Sequence, residues 1–139
     1  MSSAILQIGE WLGTPRTSSE TDVLRVVENR LATSTLKRLT ALGLTRAEID
    51  ANVIPSRTLQ HRRARREKLT LEESDRALRM LRVLSFAEEV YSTRERALAW
   101  LRSPNARLSG HAPFSLLNTE AGSRVVLEML GQIDEGMFV

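Results

Sequence analysis

The sequence predicts an all-α protein: an amino-terminal helical bundle followed by a second small helical domain. Leu, Ala, Arg and Glu, which favour helices, dominate the composition, apolar residues recur at intervals of three and four, and no alternating β-branched stretch is present. The chain has 139 residues, of which 42% are hydrophobic. This length and composition can fill the core of one domain or of two very small ones.

The first 20 residues form a predicted arm or packing helix. Ile5, Ile8 and Leu12 share one face of a helix, and the stretch GTPRTSSET that follows has the composition of a loop.

Two further helices are predicted to form the scaffold of the bundle. Asp22 is the expected cap of the first, Ser34 begins the second, and Gly43 ends it. Their inward-facing residues are expected to be Val23, Val26, Val27, Leu31, Leu36, Leu39 and Leu42.

The stretch LTRAEIDANVIPSRTLQHRRARREKL predicts two short helices joined by a tight turn. Thr45 and Glu48 have the spacing of a capping box, the first helix is expected to end near Asn52, and Pro55 suits the first turn of the second. The inward-facing residues of the second helix would be Ile54 and Leu59. This is the pattern of a helix-turn-helix, and it predicts a DNA-binding and dimerisation domain over residues 21–69.

The second of these helices carries the residues expected to contact DNA. In a helix-turn-helix the amino-terminal residues of the second helix meet base edges, so Arg57, Gln60 and His61 are the base-reading candidates. Later basic residues meet phosphates, and these are Arg62, Arg63, Arg65, Arg66 and Lys68. Ser56 and Thr58, in the first turn, complete the predicted set. The alternative is a charged helix face that is merely solvated.

The charge distribution supports a division between the two halves. Residues 1–68 contain twelve Lys and Arg against seven Asp and Glu, whereas residues 69–139 contain eight against ten. The basic first half is therefore the part expected to meet a polyanion.

Residues 70–139 predict a second helical domain. Thr70 and Glu73 have capping-box spacing, Thr93 caps a shorter helix, and Thr119 with Gly122 opens the last one. The expected apolar residues are Leu71, Leu78, Leu81, Val83, Leu84, Ala87, Trp100, Leu101, Val125, Val126, Leu127, Leu130 and Ile133. Gly136 is a helix stop before the apolar end Met137, Phe138 and Val139. From the residues alone, this end either folds back onto its own core, the favoured interpretation, or enters a partner's pocket.

Several function classes are not expected. The chain has no cysteine, no apolar run long enough to cross a membrane and no secretory signal, so we expect a cytoplasmic protein without membrane association. There is no glycine-rich phosphate loop and no metal-ligand spacing, and Ser109 beside His111 lacks a third catalytic partner. Neither catalysis nor a cofactor or metal is therefore expected.

Five short elements together resemble a known family. They are the TL..R element at Arg57, Thr58, Leu59 and Arg62, ESDR at 73–76, WL..PN at 100–105, G..P..LL.T..G at 110–122, and the closing Gly136. The chain from residue 43 to 136 resembles the Xre/MbcA/ParS toxin-binding family of antitoxins, the antitoxin half of Xre-RES toxin-antitoxin modules.

The resemblance implies an Xre-like helix-turn-helix bundle followed by a toxin-binding domain. The implied partners are a cognate RES-domain toxin that degrades NAD and the operator DNA of the chain's own operon, which would place the protein at the nucleoid when bound. A homodimer and higher toxin-antitoxin hetero-oligomers are also implied. The family's antitoxins obstruct the toxin's active-site entrance, which reverses the expectation for the tail. The predicted toxin-binding residues are Asp134, Glu135, Gly136, Met137, Phe138 and Val139.

Other motif residues are expected to be structural. Trp100, Leu101 and Pro113 would build the toxin-binding fold, Gly110 and Gly122 would permit a turn and a close helix approach, and 73–76 would hold a local ion-pair cluster.

One departure from the commonest helix-turn-helix keeps alternatives open. The first helix, RAEIDANV, is short and polar and lacks the usual small central residue and glycine turn. The first half could instead serve dimerisation, with DNA binding requiring a toxin-bridged assembly. A free-standing transcriptional regulator without a toxin partner is the other alternative.

Overall fold

The structure is a computed structural model that describes residues 3–14 and 16–136. The described residues form eight α-helices, two 3₁₀ turns and no strand, which confirms the all-α prediction. The helices are α1 (Ser3–Leu12), α2 (Glu20–Glu28), α3 (Thr35–Ala41), α4 (Arg46–Asn52), α5 (Ser56–Ala64), α6 (Leu71–Tyr91), α7 (Arg94–Arg102) and α8 (Glu120–Asp134). The 3₁₀ turns are Ala106–Leu108 and Pro113–Leu116.

The chain divides into two compact units, Met1–Leu78 and Arg79–Val139. The division falls inside α6, so this helix contributes its first two turns to unit 1 and its remainder to unit 2. The boundary expected from the sequence, between residues 69 and 70, lies just before the same helix.

Unit 1 is a bundle of short helices around a shared apolar core. Helix α1 packs against α2 and α3 through the buried Ile5, Ile8, Trp11 and Leu12. The remaining helices contribute Val23, Val27, Leu31, Leu36, Leu39, Leu42, Leu44, Ile49, Val53, Ile54, Leu59 and Leu69. Fully burying each of these side chains stabilises the fold by about 1.5–3 kcal/mol before entropy is counted.

The start of α2 corrects one prediction. The helix begins at Glu20, and its cap is Ser19, whose hydroxyl accepts the Asp22 N–H at 3.1 Å, rather than Asp22 itself. The Asp22 carboxylate instead accepts the N–H and hydroxyl of Ser18, and the Ser18 N–H holds the pKa of Asp22 below its ordinary value. Ser19 and Asp22 are both residue types that suit a cap, and the spacing alone does not distinguish between them.

The other predicted caps are confirmed. Thr45 and Glu48 form a reciprocal capping box on α4, and Thr70 and Glu73 do the same on α6. Thr93 and Thr119 cap α7 and α8 by accepting the N–H of the third helical residue.

Unit 2 has its own core. Large buried side chains come from the later part of α6, from α7, from the two 3₁₀ turns and from α8: Met80, Leu81, Leu84, Leu98, Leu101, Leu108, Phe114, Leu117, Val126, Met129 and Leu130. Trp100 is half-buried and stacks on Tyr91, with ring centroids 5.8 Å apart and planes inclined by 30°.

Two residues expected in the core are exposed. Leu71 is 53% exposed because it is the first residue of α6, and Val125 is 44% exposed because Ser123 and Val126 occupy the inward positions of its turn.

Candidate DNA-binding helix and toxin-binding unit

The turn between α4 and α5 is built from buried apolar residues and one acidic cap. Val53 and Ile54 are buried, and Pro55 precedes α5 with a φ of −58°. The Asp50 carboxylate accepts the Ser56 hydroxyl at 2.6 Å and the Ser56 N–H at 2.8 Å. These bonds hold the pKa of Asp50 below its ordinary value. Asp50 lies in α4 and therefore fixes the start of α5 through this contact. The Ser56 hydroxyl is already used as the donor in it.

Helix α5 presents most of the predicted DNA-binding side chains to solvent. Leu59 is its buried residue, and the exposed ones among the predicted set are Arg57, Gln60, His61 and Arg63, followed by Arg65 and Arg66 just beyond the helix. Thr58 is half-buried. The exposed set has four arginines, with the exposed Glu67 directly after them, and its net positive charge suits a phosphate backbone.

Arg62 is placed differently from the other arginines of this segment. Its Nε donates to Glu73 Oε1 at 3.1 Å and its Nη2 donates to Glu73 Oε2 at 3.0 Å, while the two side chains are 23% and 6% exposed. Burial alone would raise the pKa of Glu73, but the hydrogen bonds from Arg62 and Thr70 bring that pKa below its ordinary value. The bidentate geometry is the strongest common form of a charge-assisted hydrogen bond.

Glu73 and Arg76 do not form the local ion pairs predicted for them within 73–76. Glu73 pairs with Arg62 of α5, and Arg76 donates from Nε to the carbonyl of Val53 at 2.9 Å. The spacing along α6 indicated partners on the same helix, whereas these two side chains reach the preceding helices.

The loop between α5 and α6 is fastened to the end of α2. Arg30 donates to the carbonyls of Leu69 and Lys68, and the Lys68 ammonium donates to the carbonyl of Asn29 at 3.0 Å. Leu69 N–H donates to the carbonyl of Leu31. Lys68, expected among the phosphate-contacting residues, thus has a backbone partner within unit 1.

In unit 2 the motif residues build local structure. Asn105 accepts the Arg107 N–H on its side chain and the Gly110 N–H on its carbonyl. Gly110 has a φ of +85°, as a turn requires, and the N-terminus of α8 approaches the 3₁₀ turn Pro113–Leu116 so closely that a Cβ on Gly122 would overlap the Leu116 carbonyl oxygen. Both glycine predictions are confirmed.

The carboxyl end of α8 is exposed. The helix ends at Asp134, and Asp134, Glu135 and Gly136 all face solvent. Gly136 has a φ of +76°, and its N–H donates to the carbonyl of Ile133, which confirms it as the helix stop. The other predicted toxin-binding residues, Met137, Phe138 and Val139, lie outside the described residues.

The part of the chain that the structure describes contains no group of three potential metal ligands. Within the same residues, no helix has the length and apolar character needed to span a bilayer.

Two family models match adjoining parts of the chain. The model of the antitoxin Xre-like helix-turn-helix domain matches residues 22–82, and the model of the antitoxin Xre/MbcA/ParS C-terminal toxin-binding domain matches residues 86–136. A helix-turn-helix domain followed by a toxin-binding domain defines the antitoxin class of type II toxin-antitoxin systems.

Relatives support the same class over most of the chain. The chain is 38% identical to an antitoxin Xre of Pseudomonas putida over 126 residues, covering 90% of this chain and 79% of that one. It is 36% identical to an antitoxin Xre of Yersinia enterocolitica over 98 residues, covering 69% and 66%. A third relative, the Prs ADP-ribosylating antitoxin of a Sphingobium species, is 30% identical over 132 residues, covering 87% and 83%.

The chain belongs to the Xre family of antitoxins. Proteins of this family are regulators rather than enzymes, and the protein is accordingly a type II antitoxin with a DNA-binding and a toxin-binding part.

Two contacts at the candidate DNA-binding site are not predicted from the sequence. The first is the Asp50 cap on α5, and the second is the Arg62–Glu73 pair. Neither has a signal in the sequence spacing: Glu73 is recognisable as a capping residue, but its burial against Arg62 depends on how α5 and α6 pack.

Proposed function

We propose that this antitoxin neutralises a cognate NAD-degrading RES-domain toxin by covering the entrance of its active site with the carboxyl end, and that it represses its own operon. The observation that carries the proposal is the match of the toxin-binding domain to residues 86–136, which ends where Asp134, Glu135 and Gly136 are exposed. The name of the Sphingobium relative includes ADP-ribosylation, a reaction that consumes NAD. This supports a toxin whose substrate is NAD.

The chemistry of the tail fits a pocket that binds a dinucleotide. Asp134 and Glu135 can pair with basic residues that otherwise hold a pyrophosphate, because such residues donate charge-assisted hydrogen bonds to carboxylates as well as to phosphates. Beyond Gly136, Met137, Phe138 and Val139 are apolar and can enter the cofactor pocket.

The proposed DNA-binding surface is the exposed side of α5 and the residues directly after it. Arg57, Gln60 and His61 would read bases, and Arg63, Arg65 and Arg66 would contact phosphates, with Ser56 and Thr58 near the backbone. A homodimer would present two such helices to a palindromic operator, and toxin binding would assemble a larger hetero-oligomer. This activity belongs to the cytoplasm and the nucleoid.

The toxin-blocking proposal is tested with purified components. NAD hydrolysis by the product of the adjacent gene is measured against increasing concentrations of the full-length antitoxin and of a chain ending at Ile133. We expect the full-length chain to inhibit, and the shortened chain to bind the toxin without inhibiting. The matched control is Arg57→Ala with Arg63→Ala, which should inhibit like wild type. Equal inhibition by the shortened chain would contradict the role of the tail.

The DNA-binding proposal is tested on the promoter of the same operon. Wild type should shift this fragment in a gel assay at concentrations that leave an unrelated fragment free, with and without toxin present. The Arg57→Ala, Arg63→Ala variant should lose the shift while its helical circular dichroism remains. Unaltered binding by this variant would remove α5 from the DNA contact.

A further inference from the structure

The first two turns of α6 hold both helices of the helix-turn-helix. Glu73 accepts two hydrogen bonds from Arg62 of α5, and Arg76, one turn later, donates to the carbonyl of Val53 at the end of α4. All of these residues belong to unit 1. Arg62, Glu73 and Arg76 also belong to two of the sequence elements that carry the family resemblance, TL..R and ESDR.

The Glu73 carboxylate serves two elements at once. Its Oε1 accepts the Thr70 N–H at 2.8 Å, which caps α6, as well as Arg62 Nε at 3.1 Å. The Glu73 residue is only 5% exposed, and removing Arg62 would leave a buried carboxylate without its cation. The end of α5 is thereby held against the start of α6 by a buried bidentate ion pair, which leaves less freedom than an exposed ion pair.

Few other contacts from α5 itself hold its orientation, although the loop that follows it is hydrogen-bonded to residues 29–31. Leu59 is its buried residue, and the Asp50 contact with Ser56 fixes only its first turn. The Arg62 fork lies at the opposite end of the helix. A helix of nine residues held at both ends is preorganised, which lowers the entropy lost when it enters a groove.

We propose that Arg62, Glu73 and Arg76 are positioning residues for DNA binding, and that Arg62 is not a phosphate contact. This inference rests on the proposed DNA-binding function of α5. In this proposal Arg62 neutralises Glu73, and the arginines that contact DNA are Arg57, Arg63, Arg65 and Arg66.

The decisive variant is Glu73→Gln, because electrostatics and positioning predict opposite signs for it. Removing a negative charge beside the basic helix would tighten DNA binding if only charge mattered. Positioning predicts weaker binding, by about tenfold, which corresponds to losing about 1.4 kcal/mol. Glu72→Gln is the matched control, since it removes the same charge from the exposed neighbouring residue and should bind DNA as tightly as wild type or slightly better.

A second pair of variants separates positioning from phosphate binding. The slope of log affinity against log salt concentration becomes shallower by about 0.9 for each phosphate that the protein no longer neutralises. Arg63→Gln should make the slope shallower by this amount, whereas Arg62→Gln should weaken binding with the slope unchanged. Hydrogen exchange of residues 56–66 gives a readout without DNA: it should speed up in Glu73→Gln and stay as in wild type in Glu72→Gln.

The outcomes distinguish this inference from the function on which it rests. If wild type does not bind the promoter, the DNA-binding proposal fails and the inference falls with it. If wild type binds but Glu73→Gln binds as tightly as Glu72→Gln, or Arg62→Gln makes the salt slope shallower, the positioning role is overturned while DNA binding stands.

Discussion

Two alanine substitutions in α8 should have opposite effects on stability. A Cβ at Gly122 would overlap the Leu116 carbonyl oxygen and lie 2.9 Å from its carbonyl carbon, whereas a Cβ at Gly131 would meet, among the described residues, only Phe86 Cζ at 4.0 Å. The first contact is with backbone, so no side-chain rotation can relieve it and the 3₁₀ turn Pro113–Leu116 must shift. The second is an ordinary van der Waals distance.

The magnitudes follow from these two environments. Overpacking of this kind costs about 1–3 kcal/mol. Alanine in place of glycine in a helix interior recovers about 1 kcal/mol, and less in the first turn, where Gly122 lies. We expect Gly122→Ala to destabilise unit 2 by about 1–2 kcal/mol, or about 4–16 °C in melting temperature, and Gly131→Ala to stabilise it by up to about 1 kcal/mol.

The assay is thermal and urea unfolding followed by the fluorescence of Trp100. The other tryptophan, Trp11, lies in unit 1, so the measurement is made in a Trp11→Phe background to report unit 2 alone. Gly122→Ala melting at or above the temperature of its parent would refute the close approach of α8 to the 3₁₀ turn. Destabilisation by Gly131→Ala as large as that by Gly122→Ala would show that the contact with Leu116 is not what makes Gly122 necessary.

Three further outcomes are expected. Thr45→Ala removes one half of the capping box on α4 and should cost about 1 kcal/mol in urea unfolding; an unchanged midpoint would exclude the cap. Leu101→Ala empties a fully buried site and should cost about 2–5 kcal/mol, whereas Leu71→Ala, at an exposed site, should stay within about 0.5 kcal/mol. The pKa of Glu73 is lowered in the folded protein, so its ionised carboxylate contributes to the free energy of unfolding above the unfolded pKa, about 4.3. This contribution is lost as pH falls through the folded pKa. The difference in stability between wild type and Glu73→Gln should therefore narrow in acid. A gap that is constant from pH 7 to pH 3 would contradict the ion pair.

The features predicted correctly from the sequence are those with local causes. Thr45 with Glu48, and Thr70 with Glu73, satisfy backbone N–H groups within one turn, so spacing alone reveals them. The inward faces of α1 and α3 follow from apolar spacing in the same way. The turn before α5 could be located because proline restricts where a helix can begin.

The features missed depend on contacts between distant parts of the chain. Arg62 is eleven residues from Glu73, and nothing in the spacing shows that the start of α6 passes the end of α5. The exposure of Leu71 and Val125 likewise depends on which neighbours cover each helix. Packing between helices determines which residues are buried and which pair, and the apolar periodicity of a single helix does not show it.

The central claim, that this chain is a two-part antitoxin whose carboxyl end silences its toxin, is tested most directly by co-expression with the adjacent gene. Growth and cellular NAD are followed with the full-length chain and with a chain lacking residues 134–139. We predict that the full-length chain restores both, while the shortened chain still purifies with the toxin and restores neither. A harmless neighbour that forms no complex, or full rescue without residues 134–139, would contradict the account.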